Sequence, residues 1–499
     1  MEKFFNGKKF EETLPRPSGV DKIKDADKLL VKRYGTDDTI RIAGAEQNIE
    51  YILKTQAASI EVLYHKGVIP KEERDVLLKT ANLNYVKPDR VRQIEEQTDH
   101  DIIAVNTAWE EQVRKLNEKA ASHIHKFRAS ADATESQWAL QAKDFLENYS
   151  FSLENLRDII IEKAVSEEWF NTPHVIKTHG FDAAPSVAGR PLIFYAESIQ
   201  QGIDLLEYFY KNSTVGKWGD AIGCHHSAKS GGLDGIETQE EYCRRLGIGH
   251  MIAPAQIVSR EFHTDIVYGI ARTQGTIANL SQYLLDERDQ DCLTMKVPRK
   301  RKGSSSLPLK DAMGGNPIKE EQAKSSFKRA LGDLMTSAAS IEFKYGRDLT
   351  NSASNRVLFE ELYKMSDHTA RRMTGAVYEL ILIPERCIER FDRTYGTTTS
   401  ENVMNYLIDP RKTDKPLGRK EAHQLASDLA KEAYDKKIQY KDLCLGDERI
   451  KSRFDEKTIV EMTDPFKFIG ESQKQIEMIF DEYHGKKSVP SQNYLNRIK

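Results

Sequence analysis

Apolar residues recur at three- and four-residue spacing over unusually long stretches of this chain. That periodicity, in segments rich in Ala, Leu, Glu, Lys and Gln, predicts helices over about 46–66, 134–165, 255–287, 320–343 and 419–437. Strand-like alternation is scarce. Helices of roughly 20 to 30 residues exceed the usual globular length, so they must bury their apolar faces against one another or against other subunits. The fold class expected is therefore all-α, built around a long-helix bundle. Pro and Gly cluster in only four places, 15–19, 180–191, 216–235 and 298–317. These breaks also hold polar residues suited to chemistry, as loops on a rigid scaffold commonly do.

Composition removes several classes of function. At 499 residues the chain is long enough for roughly two to four domains. A net charge of −3 gives no whole-molecule field for nucleic acid or membrane. No run of about 18 apolar residues predicts a membrane span, and the N-terminus has no apolar signal core. The five cysteines, Cys224, Cys243, Cys292, Cys387 and Cys444, are odd in number and widely spaced, with no CxxC. This pattern argues against a disulfide framework or structural zinc site, and a cytoplasmic location is expected.

Six segments carry candidate chemistry. In Gly303-Ser304-Ser305-Ser306-Leu307-Pro308-Leu309-Lys310, backbone N–H groups after a glycine suit an anion nest, and a nearby lysine lowers the cost of a serine alkoxide. Alone, the segment reads equally as a flexible Ser/Gly linker. Histidines punctuate Thr98-Asp99-His100-Asp101, Ile124-His125 to Asp132, and Thr178-His179-Gly180, where any single one also fits a structural role. Arg347, Ser352 and Arg356 offer two guanidinium forks and a hydroxyl for a phosphate dianion, or equally an exposed charged cap. The basic run 296–302 reads as a solvated segment that adds positive field beside the serine loop, or out of context as a targeting patch.

Taken in order, these motifs resemble the aspartase/fumarase superfamily. Residues 303–317 match its GSSxMPxKxNP loop at Gly303, Ser304, Ser305, Pro308, Lys310, Asn316 and Pro317, with a four-residue insertion between Lys310 and Asn316. Residues 98–104 are similar to TxHDVxA, residues 124–132 to IHxGxTSxD with Ser130 kept and Ala129 in place of Thr, and Thr178-His179 with Gly189 to THxxPAQxTTxG. Within the superfamily, Arg347, Ser352 and Arg356 resemble the phosphate-holding stretch of the adenylosuccinate lyase family, and Arg33-Tyr34 its SRYxS/T element. His225 stands where that family has a carboxylate-binding Gln, and Glu321 matches the acidic residue after NP.

The resemblance implies smaller helical domains at 1–128 and 379–499 flanking a bundle at 129–378. It implies a homotetramer with active sites shared between subunits, and no cofactor or metal. The implied reaction is β-elimination of fumarate from succinyl-AMP and succinylcarboxamide-imidazole ribotide in purine biosynthesis. Ser304 would act as base, His179 as general acid, His100 as assistant, and Lys310 would stabilise the aci-carboxylate. Arg33, Tyr34, Thr98, Asp101, Ser130, Thr178, His225, Ser305, Asn316, Glu321, Arg347, Ser352 and Arg356 would bind substrate. Two other readings stay open: a related lyase acting on another amine, such as argininosuccinate lyase or an aspartase-like enzyme, and a catalytically silent structural relative.

Overall fold

The structure is a computed structural model that describes residues 33–295, 306–311 and 315–498. It is almost entirely helical. In the N-terminal part, α1 (Ala45–His65), α2 (Pro88–Thr98) and α3 (Asp101–Arg114) surround a core that includes Leu53, Ile60, Ile102, Val105 and Trp109. The central bundle consists of α4 (Ser130–Val165), α5 (Arg190–Asn212), α6 (Glu261–Asp289), α7 (Ile318–Ala339) and α8 (Ser352–Glu379). Between α4 and α5 the chain forms an antiparallel hairpin of β1 (Pro173–Thr178) and β2 (Phe181–Val187). A second short pairing joins β3 (Leu293–Met295) to β4 (Leu380–Leu382), after which α9 (Pro384–Arg393) opens the C-terminal part.

The bundle core is aromatic and aliphatic. Phe145 of α4 stacks on Tyr363 of α8 with ring centroids 4.0 Å apart, and Leu153, Ile160, Leu206, Ile270 and Leu280 fill the space around them. A helix of 36 residues buried on most sides must also bury polar groups, which then need partners. Glu154 is fully buried and accepts hydrogen bonds from Ser488 N at 2.8 Å, Ser488 Oγ at 2.7 Å and Ser491 Oγ at 2.6 Å. These bonds tie the last helix, α11 (Val489–Ile498), which follows α10 (Ser472–Tyr483), back onto the bundle.

The hydrophobic clusters cross the domain limits expected at 128 and 378. Trp218, Leu233, Tyr242 and Ile248 join the N-terminal core, and Ile476 of α10 joins the bundle. A third cluster within 403–462 is separate. The helix expected from 255 begins only at Glu261. Residues 255–260 instead turn beneath α4, where the buried Glu135 carboxylate takes Arg260 in a bidentate pair at 2.7 and 2.9 Å and also accepts Val258 N. The hairpin itself replaces a loop expected from the Gly/Pro content of 180–191.

Candidate active site

The expected site residues fall into two groups, one at each end of the bundle. His100 caps the start of α3, and Asp99 ahead of it has φ 51°, a left-handed turn that ends α2 just after Thr98. The His100 Nε2 lies 3.4 Å from Ser130 Oγ at the first residue of α4, and Asp101 Oδ2 meets Arg356 Nη2 at 3.2 Å. The Thr98 hydroxyl donates to Ile94 O within α2 at 3.0 Å and lies 3.5 Å from His100 O, at the edge of this group. Asp101 and Arg356 stand on a cleft of about 330 Å³ with Arg92, Gln137 and Asn355. Arg347 lies near this end, donating to Gln256 Oε1 at 3.3 Å. Ser352 is the first residue of α8.

His225 belongs to the same end, held by a feature that the sequence did not reveal. Asp132, fully buried, forms an ion pair with Lys217 and accepts backbone N–H groups from Gly219 at 2.9 Å, Asp220 at 3.2 Å and Ala129 at 2.8 Å. Four donors on one carboxylate fix the 217–226 loop. His225 itself has φ 57°, and its Nδ1 lies 2.8 Å from Trp218 O, so Nδ1–H donates there and Nε2 is left without a partner. Asp132 was legible only as the last residue of a motif, and its role as the loop's anchor needed the fold.

Next to this group sits His125, also at positive φ, with Nδ1 accepting from Gln56 Nε2 at 3.0 Å. Burial, together with the adjacent Arg128 guanidinium, pushes the His125 imidazole down to about 4. This histidine is neutral near pH 7.

The second group lies at the other end. Thr178 pairs with Phe181 across the hairpin, leaving His179 and Gly180 as a two-residue turn with φ 52° and 82°. Positive φ at both positions is what a type I′ hairpin turn requires. His179 is thereby held at an exposed tip beside Phe181, itself 77% exposed. Lys310 and Asn316 join this end through α6, because Arg288 near its C-terminus donates to Gly315 O at 2.9 Å. The insertion between Lys310 and Asn316 does not part them: Lys310 Nζ lies 2.7 Å from Asn316 Oδ1. Glu321 is exposed on the first turn of α7, whereas its neighbour Glu320 is buried, which raises its carboxyl above the ordinary range. Ser304 and Ser305 lie outside the described residues.

One chain does not bring the two groups together. Gly189, at the base of the hairpin, packs against Ala164 near the end of α4. Ser130 to Ala164 is about 50 Å at 1.5 Å per residue. The ten residues from Gly189 back to His179 span at most about 33 Å, so His179 stays more than about 10 Å from Ser130. Arg33 and Tyr34 lie with neither group. Tyr34 sits edge-on to His368 with centroids 5.7 Å apart, and along α8 that is about 18 Å from Arg356.

Comparison with known proteins finds relatives of this chain and of its long-helix bundle. The model of the family described as Lyase matches residues 31–332, more than half of the chain, and the chain belongs to that family. Residues 396–479 match the model described as Adenylosuccinate lyase C-terminus. The chain is 28% identical to the adenylosuccinate lyase of Methanocaldococcus jannaschii over 473 residues, covering 93% of this chain and 98% of that one. It is 24% identical to that of Bacillus subtilis over 454 residues, covering 91% and 99%. Among solved structures it is similar in fold to a fumarate lyase from Mesorhizobium, with TM-score 0.76, 17% identity and coverage of 90% and 98%. The β-carboxy-cis,cis-muconate cycloisomerase from Acinetobacter calcoaceticus gives the same TM-score of 0.76, at 17% identity and coverage of 91% and 100%.

Proposed function

We propose that this chain is an adenylosuccinate lyase, releasing fumarate from succinyl-AMP and from the succinylcarboxamide-imidazole ribotide by β-elimination. The observation that carries this reading is the near full-length likeness to proteins named adenylosuccinate lyase. The guanidiniums support a phosphate-bearing substrate. Among the described residues Arg347 has only the neutral Gln256 amide as a polar partner, and Arg356 uses one of its five N–H donors on Asp101. Both keep donors and charge for a phosphate dianion.

In this reaction Ser304 removes a proton from the methylene carbon of the succinyl group. The electron pair spreads onto the adjacent carboxylate, where Lys310 opposes the developing charge. His179 protonates the departing nitrogen, and the C–N bond breaks to give fumarate and AMP. His100 and Ser130 bind the substrate from the opposite end of a second chain. The two groups of residues meet only if subunits pack with opposite ends together, which favours a homotetramer with shared sites. Exposed Phe194, Tyr208, Tyr268, Leu331 and Met335 on α5, α6 and α7 provide the apolar faces for that packing. Among the described residues no helix is long and apolar enough to cross a membrane, and a cytoplasmic location belongs to the same reading. Incubation of the purified protein with succinyl-AMP tests it: equal amounts of AMP and fumarate must form, with argininosuccinate and aspartate left intact.

A further inference from the structure

Beneath the second group of site residues, three side chains far apart in sequence meet in the core. His174 of β1, Cys292 just ahead of β3 and Cys387 of α9 each place one donor atom within 4.8 Å of the other two. His174 is 2% exposed and both cysteines are fully buried. The Nδ1 of His174 has no hydrogen-bond partner, a costly state for a buried imidazole. Its Nε2 lies 3.2 Å from Glu287 Oε2. Glu287 is in turn 3.1 Å from Nη1 of the fully buried Arg390, and the same nitrogen is 3.7 Å from Cys292 Sγ.

We infer that His174, Cys292 and Cys387 bind a thiophilic divalent cation of the zinc class, their three donors leaving the fourth position of a tetrahedral shell to an exogenous ligand. Two thiolates and an imidazole form a donor set that zinc takes. Binding exchanges the two thiol protons for the cation and releases both protons to solvent. Exchange of two protons for a divalent ion leaves the net charge of the site unchanged. The Arg390 guanidinium pairs with both Glu287, at 3.1 Å, and Asp182, at 2.9 Å. The guanidinium, poised between Cys292 Sγ and Glu287, then serves as the outer-shell donor that such sites commonly have.

The lack of CxxC in the sequence gives no sign of this site, because β1, the β3–β4 pairing and α9 supply the ligands from three separate parts of the chain. Their positions give the ion a task. β1 leads into the His179 turn, β3 runs directly into the segment that holds Ser304, and α9 opens the C-terminal part. A bound cation would pin all three at one point. The inference does not depend on the reaction proposed above.

The test is cobalt binding by the full-length protein, reduced and freed of metal. Wild type must take up one Co2+ per chain with the visible and thiolate charge-transfer absorption of a tetrahedral thiolate site. Zinc must displace it and raise the Tm. Cys292→Ser, Cys387→Ser and His174→Gln must lose the absorption and the zinc-dependent Tm shift, and Cys444→Ser, at a buried cysteine elsewhere, must keep both. Should the ligand variants not fold, the wild-type spectrum and Tm shift decide alone. No thiolate absorption in wild type, unchanged uptake by the ligand variants, or a Cys292–Cys387 disulfide found by thiol titration would each overturn the inference.

Discussion

His100 and His179 stand at opposite ends of the 36-residue helix α4, which is about 50 Å long. If both act on one substrate, they come from different subunits. Mixing His100→Ala with His179→Ala protein, each nearly inactive alone, should therefore restore a substantial fraction of wild-type activity after subunit exchange, because some sites receive two intact groups. The measurement is kcat of the mixture against each parent. Activity no higher than the sum of the parents would place both histidines in one chain's site.

The Asp132–Lys217 pair, both fully buried, gives a prediction about stability. Breaking a buried pair by removing one partner leaves an uncompensated charge and costs about 3–5 kcal/mol. Asp132→Asn should lower the unfolding free energy read from urea titration by that amount and release the loop that holds His225. Asp132→Asn combined with Lys217→Met should recover part of the loss. Equal midpoints for wild type and Asp132→Asn would show that the pair contributes nothing to the fold.

His125 sets a pH dependence. Its imidazole titrates at about 4 in the folded protein, below the ordinary ~6.5. Between these values the unfolded chain binds more protons, so stability is full above about pH 6.5 and is lost as the pH falls towards about 4. His125→Gln keeps an acceptor for the Gln56 amide and removes the titration. Its Tm should fall less steeply than that of wild type over this interval, as read by calorimetry at a series of pH values. Parallel Tm–pH curves would count against a neutral buried His125.

Much of the scaffold was legible because helical periodicity and motif order are local properties. Ser130–Val165 and Arg419–Lys436 lie close to where the spacing of apolar residues puts them. What was hidden depended on contacts distant in sequence. The hairpin reads as a loop because Gly180, Asp182 and Pro185 disfavour strands, and it forms through pairing of β1 with β2. The left-handed backbone at His125, His179 and His225 leaves no mark in residue type. The His174–Cys292–Cys387 cluster has no motif, since its members come from separate elements.

Ser304→Ala should lower kcat by about three decades or more while substrate still binds, because Ser304, the first serine of the signature loop, is the proposed carbon base. Steady-state kinetics with a binding measurement separates the two effects. A kcat within about tenfold of wild type would remove Ser304 from the base role.

The central claim is that this site eliminates fumarate from a succinylated purine nucleotide held by its phosphate. Initial rates with succinyl-AMP, succinyladenosine and argininosuccinate, in wild type and Arg347→Ala, test it most directly. Charged hydrogen bonds of roughly 1.5–3 kcal/mol each at two guanidiniums should make kcat/KM for succinyl-AMP at least about 10²-fold above that for succinyladenosine. Argininosuccinate should not turn over, and Arg347→Ala should lose most of the preference for the phosphate. Equal turnover of nucleotide and nucleoside by wild type, or faster turnover of argininosuccinate, would contradict the claim.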